Sequence, residues 1–246
     1  MTPTEPAPWT DERLAATRFR TVEWFTRIDS TNRYLLQRAA DAEADGLVAV
    51  ADEQTAGRGR LGRSWVAPPR SALLVSVLLR PEVGPGRIHL VTLAAGLAAI
   101  EAVERLAHVR AGLKWPNDVV VDDRKLAGIL AESDGAGAVV VGMGCNVEPA
   151  ALPLELHPIA VAVPIDRREL LVAWLRAYDT RLRALDRVVG EAASKSATLG
   201  RRVRVELSTE SFEGTATSLT DEGFLVVGGR IVSAGDVVHL RHDTDE

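Results

Sequence analysis

Cys145 is the only cysteine in the 246 residues of this chain. That excludes an internal disulfide framework and fits a reducing compartment. Cys145 lies in "VGMGCNV" with no basic partner beside it, so it reads as a small core residue and not as a nucleophile. Long hydrophobic runs are missing too. The longest, "LVTLAAGLAAI" from Leu90 to Ile100, is well short of the roughly 18–20 residues that span a bilayer. The start, "MTPTEPAPWTDERL", has three prolines and early acids but no apolar run, so no targeting segment is expected in it. A cytoplasmic location is therefore expected. Positive charge is not in excess either. The formal net charge of −5 argues against a dedicated nucleic-acid binder, though not against a local basic site. No His, Cys and Asp cluster has transition-metal spacing, so no protein-built metal cage is expected. No internal repeat is visible.

What is present is an ordinary globular composition, 46% hydrophobic, with length enough for one large domain and a small one. Residues 1–20 are Pro-rich and weakly periodic, and are expected to form a loose arm. From Thr21 the pattern is mixed α and β. "TVEWFTRI" reads as a strand, and Ser30 or Thr31 can cap the helix that follows. "LVAVADEQ" and "ALLVSVLLR" read as buried strands. Leu90, Leu93, Leu97, Ile100 and Leu106 recur at helical spacing. "GLKWPNDVVVDD", "KLAGILAES" and "GAVVVGMGCNV" are strand-like runs split by turns, and "IAVAVPI" also leans to β. "RRELLVAWLRAYDTRLRAL" is an amphipathic helix. From Ser194 the helical period vanishes and short strands follow at close intervals, which predicts a compact β module over 194–246. Residues 21–193 form the larger unit.

Four segments concentrate ligand chemistry. "DSTN" (Asp29–Asn32) is either a plain helix cap or a polar ligand site at a helix start. "QTAGRGRLGRSW" (Gln54–Trp65) interleaves three glycines with three arginines. Glycine allows positive φ and close backbone approach, and arginine offers a planar fork to carboxylate or phosphate. Alone, the loop specifies only a nearby anion. "KWPND" (Lys114–Asp118) packs a lysine, an indole, a rigid proline and two polar side chains into five residues. It is either a proline turn with a core Trp or a site element. "RKLAGIL" (Arg124–Leu130) and "GMGCN" supply a lysine, Gly128 and Asn146.

Together and in this order, the four segments resemble the signatures of the biotin–protein ligases. "STN", "QTAGRGRLGRSW", "KWPND", "KLAGIL" and "GMGCN" all match, along almost the whole chain. The resemblance implies an α+β fold: a mixed-sheet, class II synthetase-like catalytic domain followed by a small SH3-like β-barrel. It implies ligation of biotin to a carrier lysine of a biotin-dependent carboxylase, through biotinyl-5′-adenylate, with release of pyrophosphate. Biotin and ATP are then the substrates, with Mg²⁺ brought by ATP. Ser30, Thr31, Asn32 and Gln54 would take the ureido end of biotin. Gly57 would contribute backbone contacts, and Arg58 and Arg60 would lie over carboxylate and phosphate. Lys114 would bridge the two and be the main catalytic group, with Arg60 beside it. Arg58, Arg63, Trp65, Asn117, Lys125 and Asn146 would line the nucleotide. Asn117 and Asp118 are alternatives for shaping the site or placing Mg²⁺. The glycines lead us to expect a loop that is mobile when empty and ordered when filled.

About 20 residues precede the catalytic region, so the DNA-binding domain found in the family's repressors is not expected, and neither is DNA binding. A lipoate or octanoate ligase of the same fold is the nearest alternative. A biotin-sensing regulator, or a non-catalytic module that docks an acidic partner, is more distant. The resemblance leaves monomer and homodimer open.

Overall fold

The computed structural model describes residues 5–81 and 84–240. Its main body is an eight-stranded sheet. In chain order the strands are β1 (Ala7–Trp9), β2 (Val22–Phe25), β3 (Val48–Ala51), β4 (Ala72–Leu79), β5 (Gly112–Lys114), β6 (Asp118–Val121), β7 (Arg124–Ser133) and β8 (Val139–Asn146). Their spatial order is β1-β2-β3-β4-β8-β7-β6-β5. Only β2 and β3 pair in parallel, joined by the crossover through α1 (Thr31–Gln37). The rest is antiparallel, so the sheet is mixed and the fold is α+β, as expected.

Side-chain alternation sorts the sheet into two faces. Leu73, Val75, Val77 and Leu79 of β4 join Val141, Met143 and Cys145 of β8 on one face. That face is covered by α2 (His89–Ala107) and α3 (Arg167–Leu182). The two helices are tied at depth. The Trp174 indole N–H donates to the Ala95 carbonyl at 3.0 Å, and the Tyr178 hydroxyl to Val91 at 2.9 Å. On the other face Leu74 and Leu78 pack with Leu35 of α1. Here the alternation of "KLAGIL" and "VVVGMGCN" places Gly128, Gly142 and Gly144 upward, leaving that part of the sheet without side chains.

The chain continues through α4 (Val188–Ser194) into a second, five-stranded antiparallel sheet. Its strands are β9 (Arg202–Glu206), β10 (Ser211–Leu219), β11 (Leu225–Val227), β12 (Arg230–Val232) and β13 (Asp236–His239), ordered β12-β11-β10-β9-β13. It is fastened to the turn between β5 and β6. The Trp115 amide donates to the Thr198 hydroxyl at 3.1 Å, and its indole N–H to the Gly223 carbonyl at 3.1 Å.

Two local expectations fail. Residues 7–20 are not a loose arm: β1 pairs with β2, and Leu14 and Phe19 are buried in the main core. Phe19 stacks on Tyr178 at 5.9 Å, so two apolar anchors outweigh a Pro-rich composition. Residues 1–4 of that arm lie outside the described residues. "IAVAVPI" is not a strand. It makes one bridge, from Ala160 to Lys125, and a single further backbone bond to the sheet, from Val163 to Asn146. Among the described residues no helix is long and apolar enough to cross a membrane.

Candidate active site

The glycine floor, the start of α1 and the Gly/Arg loop enclose a cleft. Register fixes its layout. Ser76, Gly142 and Leu130 form one row across β4, β8 and β7. Gly144, Gly128, Asp118 and Lys114 form a second row across β8, β7, β6 and β5. The rows are two residues apart along β8, roughly 7 Å.

The first row carries a neutral, hydrogen-bonded end. Ser30 caps α1, and its neighbours Thr31 and Asn32 turn inward, all three buried. The Thr31 amide and hydroxyl both donate to Gln54 Oε1, at 2.7 and 3.0 Å. The Thr31 and Ser76 hydroxyls lie 2.7 Å apart, and Ser76 donates to Asn32 Oδ1. Asn32 Nδ2 in turn donates to Glu132 at 2.9 Å. A Cβ on Gly142 would sit 2.1 Å from Asn32 Oδ1, so glycine is required there.

The second row carries the cations. Lys125 Nζ lies 2.7 Å from Asp118 and over the Trp65 ring at 5.6 Å. The Trp65 indole rests on the floor: a Cβ on Gly144 would meet it at 2.4 Å, and one on Gly128 at 3.1 Å. Its Nε1 is buried with no acceptor among the described residues. The loop is folded over this end by its arginines. Arg60 donates to Asn117 Oδ1 at 3.0 Å and to the Gly235 carbonyl at 3.2 Å, while Arg58 reaches to the first row and pairs at 2.8 Å with Glu132, the carboxylate that also accepts from Asn32. Arg63 pairs with Asp236. Burial pulls the half-buried Arg60 guanidinium below its ordinary value, against the opposing pull of Asp236 and Asp118. A guanidinium remains charged regardless. So the end of the second sheet's β12–β13 turn (Gly235) and the start of β13 (Asp236) hold the loop in place.

Ser30, Thr31, Asn32, Gln54, Arg58, Arg60, Trp65, Asn117 and Lys125 therefore line one cleft. Gly57 lies just behind it. A Cβ there would meet the Trp65 carbonyl at 2.4 Å. Asn146 lines an adjoining apolar depression that shares Trp65 and Lys125 with the cleft and is walled by Pro68, Leu152, Leu156 and Ile159.

Two residues depart from expectation. Lys114 does not reach the cleft. It stands two strands beyond Gly128, roughly 10 Å along the row, and lines a separate depression with Asp123, Arg201 and His239. Lys125, and not Lys114, lines the cleft. Arg63 also leaves the cleft, for its pair with Asp236. Ser76 and Glu132 take part in the cleft without belonging to any motif, and Gly142 and Gly144 form its floor from within "GMGCN". Their signal was period-2: a serine inside an apolar strand, and glycines alternating with buried aliphatics. Cys145 is buried, and burial pushes its thiol up to about 12, so it holds no thiolate at neutral pH.

Residues 24–148 match the model of the biotin/lipoate A/B protein ligase family, and residues 198–240 that of the biotin protein ligase C-terminal domain. The biotin–[acetyl-CoA-carboxylase] ligase of Mycobacterium tuberculosis is 42% identical over 92% of each chain. The chain belongs to the biotin protein ligase family. The Paracoccus denitrificans biotin–[acetyl-CoA-carboxylase] ligase is 33% identical, over 86% of this chain and 97% of its own. Among solved structures, the Aquifex aeolicus biotin protein ligase in complex with biotin and ATP superposes with a TM-score of 0.78. It is 28% identical and covers 89% of this chain and 98% of its own. As a biotin protein ligase, the chain is an enzyme of the ligase class, and its two sheets are the family's catalytic and C-terminal units.

Proposed function

We propose that this ligase joins biotin to ATP, giving biotinyl-5′-adenylate and pyrophosphate, and then passes biotin to a carrier-domain lysine of a biotin-dependent carboxylase. The observation that carries this is the polarity of the cleft, neutral at one end and cationic at the other. A ureido ring offers one carbonyl and two N–H groups and no charge. It suits the Ser30, Thr31, Asn32 and Gln54 end, where hydroxyls and amides can both donate and accept. A carboxylate suits the Arg60 and Lys125 end. The adjoining apolar depression with Asn146 suits adenine, and the unpaired Trp65 N–H offers a donor between the two. The Aquifex aeolicus complex with biotin and ATP supports the same substrate pair. The relatives' names support a carboxylase as the source of the acceptor.

In this reading the first step sets a carboxylate against an α-phosphate. Two unit charges ~4 Å apart repel by about 4 kcal/mol at an effective dielectric of ~20. Lys125 and Arg60 offset that repulsion and the charge that builds up in transfer. The substrate carboxylate is the nucleophile, so no protein nucleophile is required. The carrier amine then attacks the anhydride carbonyl and AMP leaves. Mg²⁺ binds through one or two carboxylates plus substrate phosphates. Asp118, at the rim beside Lys125, fits that role and would hold an ion brought with ATP.

Exchange of labelled pyrophosphate into ATP tests the reading. It should require biotin and should not occur with lipoate or octanoate. Exchange driven equally by octanoate would move the assignment to the lipoate side of the family.

A further inference from the structure

Arg58 and Glu132 stand apart from the chemistry of the cationic end and close the cleft at the other. Alternation along β7 puts Gly128, Leu130 and Glu132 on one face, paired with Gly144, Gly142 and Val140 of β8. The floor therefore runs from Gly128 to Glu132, which stands one step beyond the first row. Glu132 sits behind the residues that line the cleft and holds two of them. Its Oε2 accepts from Asn32 Nδ2 at 2.9 Å, at the start of α1. Its Oε1 lies 2.8 Å from the Arg58 guanidinium, which reaches over from the Gly/Arg loop. The carboxylate is mostly buried and the guanidinium about half exposed.

Both partners depend on this carboxylate. Asn32 Oδ1 already accepts from the Ser76 hydroxyl, and the other acceptor of its Nδ2, the Leu130 carbonyl, lies at 3.3 Å. The loop is tied to the second sheet by Arg60 and Arg63, on the cationic side. Arg58 ties it to the main sheet on the neutral side. The ion pair cancels its own charge, so an arginine stands at the neutral end without making that end cationic. We propose that Glu132 is a positioning residue. It clasps the loop over the neutral end through Arg58, aims the Asn32 amide, and thereby sets how long biotin stays bound. This rests on the biotin reading above. Arg58 then acts as a clasp at the ureido end, while the carboxylate is left to Arg60 and Lys125.

Hydrogen exchange and biotin release test this in the full-length protein. Glu132→Gln keeps an acceptor for Asn32 and removes the charge that holds Arg58. Without ligand, exchange of the Gly59 and Trp65 amides should rise about fivefold, the scale of a half-exposed ion pair. Those amides bond to the Arg63 and Gly57 carbonyls inside the loop. Exchange along β4 should not change, which shows that the variant folds. Labelled biotin, chased with unlabelled, should leave Glu132→Gln and Arg58→Ala about fivefold faster than wild type. The double variant should be no faster than either, because each substitution removes the same contact. Glu132→Ala also strips Asn32 of its acceptor, and should release biotin about tenfold faster than Glu132→Gln. Unchanged loop exchange in Glu132→Gln would overturn the clasp. Multiplying effects in the double variant, or a loosened loop with unaltered biotin release, would overturn its role in retention. Failure of the wild type to bind biotin would strike the substrate reading instead, and loop exchange would still decide the clasp.

Discussion

Lys125→Ala is expected to slow biotinyl-adenylate formation by about 10²–10³-fold, the loss typical of one transition-state charge contact. The structure places this ammonium at the junction of the cleft and the adjoining apolar depression, and it lines both. Asp118 at 2.7 Å fixes its direction, and the Trp65 ring supports it from the side. A preorganised cation acts mainly on charge that develops during transfer. The loss should therefore fall on the rate of adenylation in single-turnover rapid quench, with biotin affinity changed far less. Lys125→Arg keeps the charge but not the reach, and should recover only part of the rate. Near-normal adenylation by Lys125→Ala would remove this residue from the centre of the reaction.

Gly142→Val should abolish useful biotin binding, weakening it by at least about 10²-fold, or roughly 2.7 kcal/mol. A Cβ alone at this position would lie 2.1 Å from Asn32 Oδ1 and 3.1 Å from the Ser76 hydroxyl. The branched side chain would push into the neutral end of the cleft and break the set of polar contacts among Gln54, Thr31, Ser76, Asn32 and Glu132. Calorimetry with biotin reads the effect, and a thermal melt shows that the sheet still forms. Retained affinity in a folded Gly142→Val would mean that the neutral end is not where the vitamin sits.

Most of the catalytic unit is legible in the sequence because short-range physics writes it there. Ser30 caps its helix, "ALLVSVLLR" is apolar enough to be a central strand, and the interleaved Gly/Arg loop announces an anion. The placement of Lys114 and Lys125 shows what is not legible. Both lysines stand at strand ends, and only the pairing of Lys114 with Asp118 and of Asp118 with Gly128 reveals which lies over the floor. That pairing joins residues across three strands, and no local pattern encodes it. The N-terminal segment fails for a related reason. Its prolines dominate the composition, while the burial of Leu14 and Phe19 depends on α3, more than 140 residues later. Glu132 and Asp236 were equally hidden, since an acidic residue gains meaning as an arginine's partner only once the loop is folded over it.

The central claim is that the carboxylate of biotin and the α-phosphate of ATP meet at Lys125 and Arg60, above the Gly128 and Gly144 floor. A crystal structure of the protein with a non-hydrolysable biotinyl-adenylate analogue tests it most directly. The ureido ring should lie against Thr31 and Gln54, and the phosphoryl oxygens within hydrogen-bond reach of Lys125. A phosphoryl group seated instead beside Lys114, with Lys125 still turned to Asp118 alone, would contradict the account.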